Sequence, residues 1–396
     1  MWVPAGAYAS LLFLASQVVA YENHTKYSTW MITSMISRND GVLTGAGDAS
    51  ALLQAGFTQK AFRRWLQQNP HDVHSDLIAS HIRKSVDSTI EVVSDALVSV
   101  TNSPLDRLST GNNLIILYER THDESYRVAF DALRHSIDLQ PRNAEGGLWY
   151  FTYPNWSYLD GMASLAPFYT LFTELFEFAN TTAVPDDMVF QIELLWEHCR
   201  NDATGLLVHG YDSSRMAVWA NNRTGASPYV WGRSLGWFSM ALVDTLELLP
   251  NTERYSDARG TLLRHFRDLS AALVRAVDPK SGAWWQILDQ PERDGNYIES
   301  SGSAMFTYSL LRGARLGYIP SEPSTAVAIR AYEYIVHNFV VDQGNSTLGY
   351  TGTVSVCSLN STASYEYYVE RPMLYNSVLG TAAFAQASLE YEILER

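Results

Sequence analysis

The chain has 396 residues, with 28 Lys and Arg against 42 Asp and Glu for a formal net charge of −14, and 46% of its residues are hydrophobic. That much apolar side chain at a charged fraction of 18% excludes intrinsic disorder, because enough surface can be buried to offset chain entropy. The acidic balance and the lack of any basic run exclude a nucleic-acid partner, since the surface field repels phosphate.

In chain order, residues 1–20 come first: MWVPAGAYASLLFLASQVVA has no charged side chain, an apolar run from Leu11 to Ala15 and a small-residue end at Val18-Val19-Ala20. The pattern predicts a secretory signal peptide over 1–20, followed by one domain at 21–396, although no Lys or Arg stands near Met1. A buried N-terminal helix is the competing reading. No later stretch approaches the ~20 apolar residues of a membrane span, so no membrane association is expected. Six N-x-S/T sequons, at Asn23, Asn155, Asn180, Asn222, Asn345 and Asn360, agree with a secreted, extracellular protein. For Cys199 and Cys357, one disulfide and two buried free thiols are both open.

Helical periodicity then runs through the chain. Helices are expected at 26–37, along the stripe from Ile78 to Leu97, at 111–120, 124–139, Met162 to Phe176, 186–200, Leu235 to Leu249, 255–276, 303–316, Ala328 to Phe339 and 377–393. No stretch of alternating β-branched residues competes. The fold class predicted is all-α, at about 31 residues per helix and loop, which matches half a helical hairpin. Six hairpins closed into a ring, an (α/α)6 barrel, fit; an open superhelix fits the same spacing, and the lack of a repeating motif favours the ring. A monomer is expected.

The loops between the helices are rich in Trp and Tyr. There is no G-x-S-x-G elbow, H-E-x-x-H, P-loop or G-x-G-x-x-G after a strand. His71 and His74 lack a clustered third ligand, so no metal and no cofactor are expected. Carboxylates remain the natural acid/base groups. Residues 145–169, EGGLWYFTYPNWSYLDGMASLAPFY, set Asp160 at a helix start behind Trp149, Tyr153, Trp156 and Tyr158, where an N-cap role competes. Residues 204–242 carry His209, Asp212, Trp219, Trp231, Arg233 and Trp237. Arg233 and Trp237 are four apart and share a helix face, as binding groups or as a structural clamp. The small residues of 299–319 would let a helix approach its neighbour closely.

Four ordered motifs carry a resemblance: LDG before APFY, HGYD before WGRSLGW, SSGSAMF, and GTVSV before YEYY. Together they resemble the unsaturated rhamnogalacturonyl hydrolases of glycoside hydrolase family 105, relatives of the family 88 unsaturated glucuronyl hydrolases, from about Tyr27 to the C-terminus. The resemblance implies an (α/α)6 barrel and metal-free removal of a 4,5-unsaturated uronic acid from the non-reducing end of an oligosaccharide partner. It makes Asp160 the proton donor and water activator, aligns Asp106 as the second carboxylate, and places His209, Arg233, Trp231, Trp237 and Tyr158 around the substrate. A cation at Arg233 would suit the uronic carboxylate. If the two carboxylates lie close, repulsion would raise the pKa of one.

Two departures bear on the substrate. Tyr158 stands where the family commonly has Trp, and Tyr150 and Phe151 replace polar or basic residues at positions of potential aglycone contact. Asn155, five residues before Asp160, is expected to be unglycosylated because a glycan would crowd the mouth. The same fold acting on other unsaturated uronides, and an inactive sugar-binding relative, are the alternatives.

Overall fold

The computed structural model describes residues 26–45, 50–177 and 183–394. The signal-peptide segment 1–20 and the sequons at Asn23 and Asn180 lie outside the described residues.

Eleven expected stretches fold as helices or sets of helices, with one break and one addition. The barrel helices are α1 (Tyr27–Ser37), α2 (Ala51–Gln68), α3 (Ser75–Asp87), α6 (Gly111–Thr121), α7 (Glu124–Leu139), α8 (Met162–Phe176), α9 (Ala183–Cys199), α10 (Gly232–Leu248), α11 (Ser256–Arg275), α12 (Ser300–Arg315), α13 (Ser321–Phe339) and α15 (Val378–Leu394). Short pieces α4 (Ile90–Val93), α5 (Ala96–Asn102) and α14 (Tyr365–Val369) lie between them. The stripe from Ile78 to Leu97 is broken into α3, α4 and α5 because hydroxyls there turn back on the backbone. Ser88 Oγ donates to the Ser85 carbonyl at 2.7 Å, Thr89 Oγ1 to Val86 at 2.8 Å, and Asp95 caps α5 by accepting from the Val98 amide at 2.9 Å. The addition is α2, outside the expected stretches although Leu53, Phe57, Ala61 and Trp65 recur every four residues and are all buried.

Six helices form the inner ring. In order these are α2, α6 with its preceding 3-10 turn Leu105–Thr110, α8, α10, α12 and α15, and α15 packs back on α2. Outside them, α3, α7, α9, α11 and α13 each cover the inner helix that precedes them, while α1 covers α15. This closure decides for the (α/α)6 barrel over an open superhelix. Nearly every residue of α10 and α15 is buried, so neither has a polar face, whereas the outer α3 and α7 bury one side only. The small residues of α12 do bring it close to its neighbour: a Cβ added at Gly302 would sit 3.1 Å from the carbonyl carbon of Gly232, so α10 and α12 touch backbone to backbone. The ring is sealed where the Ser28 amide and hydroxyl donate to the Glu392 carboxylate at 2.9 and 2.7 Å.

Three two-stranded antiparallel ribbons fill the loops: β1 (Trp156–Tyr158) with β2 (Gly210–Asp212), β3 (Val340–Asp342) with β4 (Leu348–Tyr350), and β5 (Thr353–Val354) with β6 (Met373–Leu374). At two or three residues each, they are too short to show a strand period in the sequence. Cys199 and Cys357 are buried free thiols, which closes the disulfide option; burial pushes the Cys357 thiol up to about 12. Among the described residues no helix is long and apolar enough to cross a membrane. Asn222, Asn345 and Asn360 are exposed, while Asn155 is partly buried in the turn before β1.

Candidate active site

The inner helices α6, α8, α10 and α12 all start at one end of the barrel, so their positive dipole ends converge there and favour an anion. The ribbon of β1 and β2 builds the centre of this end. Its register pairs Tyr158 with Gly210, and one residue farther on the Leu159 amide donates to the His209 carbonyl at 3.1 Å. Asp160 and His209 are thereby held side by side. Only glycine fits at 210, where a Cβ would lie 2.5 Å from the Ser157 carbonyl oxygen.

Asp160 is 8% exposed at the start of α8. Ser234, in the first turn of α10, donates its hydroxyl to Asp160 Oδ2 at 2.5 Å. The fully buried His209 sets Nε2 3.2 Å from the same oxygen, though without the angle of a hydrogen bond, and its Nδ1 meets the Tyr368 hydroxyl at 2.7 Å. Burial raises the Tyr368 hydroxyl well above its ordinary range, so it stays protonated.

Asp106, in the 3-10 turn before α6, is the second carboxylate. Tyr150 donates its hydroxyl to Asp106 Oδ2 at 2.6 Å, and Asp106 Oδ1 is buried without a partner. Burial, helped by the nearby charge of Asp160, pushes the Asp106 carboxyl from 3.8 up to about 7, against the Tyr150 hydrogen bond and Arg107, which lower it. Repulsion alone is therefore not the main cause; desolvation is. Arg107 turns its guanidinium away, to Ser136 and Gln140 at 2.9 Å each.

An aromatic cluster separate from the main core surrounds His209. Buried Tyr158, Trp219, Trp231, Tyr365 and Tyr368 carry partly exposed Tyr150, Tyr153, Trp156, Tyr229 and Tyr367 around them. Tyr150 stacks on Tyr158 with ring centres 4.3 Å apart, and Trp231 lies 4.8 Å from the His209 ring. Such partly exposed rings offer flat faces for a sugar. Tyr150 is thus not simply a rim position: it is bound to a carboxylate.

Two expected binding residues sit differently. Arg233 is 1% exposed and stacks 4.9 Å above Trp231; its guanidinium donates to the Val354 and Ser355 carbonyls at 2.7 Å each and to Ser301 Oγ at 3.2 Å, with Glu299 Oε1 at 3.7 Å. It is a clamp that ties α10 to β5 rather than a free cation. Trp237 joins the main barrel core, edge-on to Phe57 of α2 at 4.6 Å. Four residues that matter went unread. Ser234 and Tyr368 lie inside the quoted WGRSLGW and YEYY motifs, Tyr150 was noted only as a departure, and Glu299 caps α12 by accepting from the Gly302 amide at 2.7 Å. Asp212 of HGYD shapes its loop, accepting from the amides of Ser214, Met216 and Ala217 at 2.8 Å each. Of the two histidines weighed as ligands, His74 bonds Asp72 through Nδ1 at 2.8 Å.

Residues 35–394 match the family model described as Glycosyl Hydrolase Family 88. The chain belongs to that family. This family 88 chain is also 31% identical to a family 105 glycoside hydrolase from C. acetobutylicum, on whose structure it superposes with a TM-score of 0.81 over 93% of this chain and 100% of that one. An unsaturated glucuronyl hydrolase from Bacillus sp. GL1 shares the fold, with a TM-score of 0.63 at 14% identity over 92% of this chain and 94% of that one. Protein Atu3128 of Agrobacterium fabrum is 36% identical over 206 residues, 49% of this chain and 85% of that protein. The protein is therefore a glycoside hydrolase of the family 88 and 105 type, and the (α/α)6 barrel is the fold of these relatives.

Proposed function

We propose that this family 88 protein is a secreted hydrolase that releases 4,5-unsaturated galacturonic acid from the non-reducing end of rhamnogalacturonan oligosaccharides made by lyases. The observation that carries the proposal is the pairing of Asp160, held by Ser234 and His209, with a second carboxyl, Asp106, that burial keeps protonated to about pH 7. The exposed sequons at Asn222, Asn345 and Asn360 support the extracellular location.

A 4,5-unsaturated uronide is a vinyl ether. Asp160 delivers a proton to C4, C5 takes on oxocarbenium character, and a water oriented by the returned carboxylate adds there. The C5 hemiketal opens by breaking its bond to the ring oxygen, leaving a ketone at C5 and a hemiacetal at C1 that expels the next sugar. Asp106, with Tyr150 on one oxygen and the other oxygen unpartnered, accepts a sugar hydroxyl or shares the proton. The convergent helix N-termini and protonated Tyr and Ser hydroxyls receive the uronic carboxylate in place of a free Arg233.

The test is Asp160→Asn, followed by the absorbance of the conjugated double bond. Turnover falls at least ~100-fold with substrate binding kept, the scale of a lost general acid; near-normal turnover would remove Asp160 from the mechanism. Running the same assay on glucuronyl and galacturonyl lyase products separates the rhamnose-linked substrate from other aglycones, a choice that Tyr158 in place of Trp leaves to measurement.

A further inference from the structure

A cavity lies inside the ring between α2, α6, α8 and α10. Its lining starts at Leu108 and Ala163, two and three residues past the catalytic carboxylates Asp106 and Asp160, includes neither of them, and reaches the far halves of α2 and α10, with a volume of 230 Å³. Three cations of α2 line it: Lys60, Arg63 and Arg64. The carboxylates around them are already shared. Asp244 accepts from Lys60, from Arg64 at 2.7 Å and from Tyr308 at 2.6 Å; Glu247 pairs with Arg64 and Arg312; Glu390 pairs with Arg312 and Arg315. Burial opposes ionisation of Asp244, yet Lys60, Arg64 and Arg312 hold it well below the usual carboxylate range, so it offers nothing further.

Arg63 is left over. Its one hydrogen-bond partner is the neutral Asn113 side chain at 3.0 Å, and burial together with Arg64 lowers its guanidinium to about 10. Arg63 is partly buried and makes no ion pair of its own, so its guanidinium is open to pair directly with an arriving anion. Other lining groups also lack partners: the Ser164 hydroxyl, on a residue 3% exposed, Arg64 Nε and the Asn112 side-chain oxygen are all buried and unbonded. Arg63 further borders an adjoining space of 110 Å³ with Arg120.

We infer that this cavity is a binding site for a small oxyanion, a carboxylate or phosphate group, seated between Arg63, Arg64 Nε and the Ser164 hydroxyl and distinct from the catalytic end. Its guanidinium and hydroxyl donors match the lone pairs of such a group. The inference does not depend on which sugar the catalytic end cleaves.

The experiment titrates inorganic phosphate and, separately, sodium galacturonate into the full chain by calorimetry, at fixed ionic strength against a chloride background. At least one probe gives a saturable event, which Arg63→Gln and Ser164→Ala each weaken and Arg63→Gln weakens at least ~10-fold, the loss of one charge-assisted contact. Asp160→Asn leaves the event unchanged, which keeps it apart from the catalytic end. Because Arg63→Gln removes an unpaired cation, its melting temperature without added anion is not below that of the parent chain. No saturable heat from either probe, or binding that both variants leave intact, would overturn the site.

Discussion

His209 Nε2 stands 3.2 Å from Asp160 Oδ2, and Tyr368 steadies the same ring from the other side at 2.7 Å. The imidazole is therefore aimed by a residue 159 positions away in sequence, on the short helix α14. Tyr368→Phe keeps the ring and removes the hydroxyl. We expect kcat to fall roughly tenfold with KM changed less than twofold, a fraction of a general acid/base contribution, and Tyr368→Trp not to restore it. An unchanged kcat would show that the His209 orientation needs no anchor.

Asp106 links stability to pH. Its folded value of about 7 exceeds the ordinary 3.8, so between these limits the folded chain holds a proton that the unfolded chain has released. Stability contributed by this group falls as pH rises through that window. Asp106→Asn should flatten the decline between pH 5 and pH 8 by about 3 kcal/mol, given about 1.4 kcal/mol per pH unit over the two units below pH 7, measured by urea unfolding at both values. In kinetics, the parent enzyme should show an alkaline limb near pH 7 that the residual activity of Asp106→Asn lacks.

Arg233 should behave as a structural ion. Arg233→Met leaves Glu299 buried beside the β5 carbonyls without its cation, and loss of about 3–5 kcal/mol of stability is expected for breaking one side of a buried pair. The double variant Arg233→Met with Glu299→Gln should recover part of that loss. A residue acting only on the uronic carboxylate would raise KM and leave the urea midpoint where it was.

The cysteines give a simple check. Both thiols are free and buried, so a thiol reagent should label neither in the native chain and both after denaturation, and reductant should leave the melting temperature unchanged. Protection of both thiols after denaturation without reductant would contradict the structure.

The ring was legible in the sequence because each inner or outer helix carries its own apolar spacing, from Tyr27 in α1 to the Ala-rich α15. What the spacing does not contain is which helix ends meet. Ser234 follows Arg233 directly, yet a reading of helical faces favours the large cation over the small hydroxyl that reaches Asp160 across 74 positions. The aromatic excess includes Tyr158 and Trp231, whose rings lie beside His209, but Trp237 has the same composition signal and lies in the core against Phe57. Arg233 shows the same ambiguity from the charged side: its motif context marks the site, and only the carbonyls of Val354 and Ser355 reveal what its charge is engaged with.

The seal between Ser28 and Glu392 imposes an order on the making of the protein. One hairpin is assembled from the outer helix α1 and the inner helix α15, whose contact spans 364 positions, so its two halves leave the ribosome far apart in time. The face of α1 that packs on α15 waits for its partner through the synthesis of the helices between them, a window in which nascent chains are open to chaperones and to mispairing. A stalled or shortened chain would accordingly keep five hairpins and an open flank rather than a smaller closed ring.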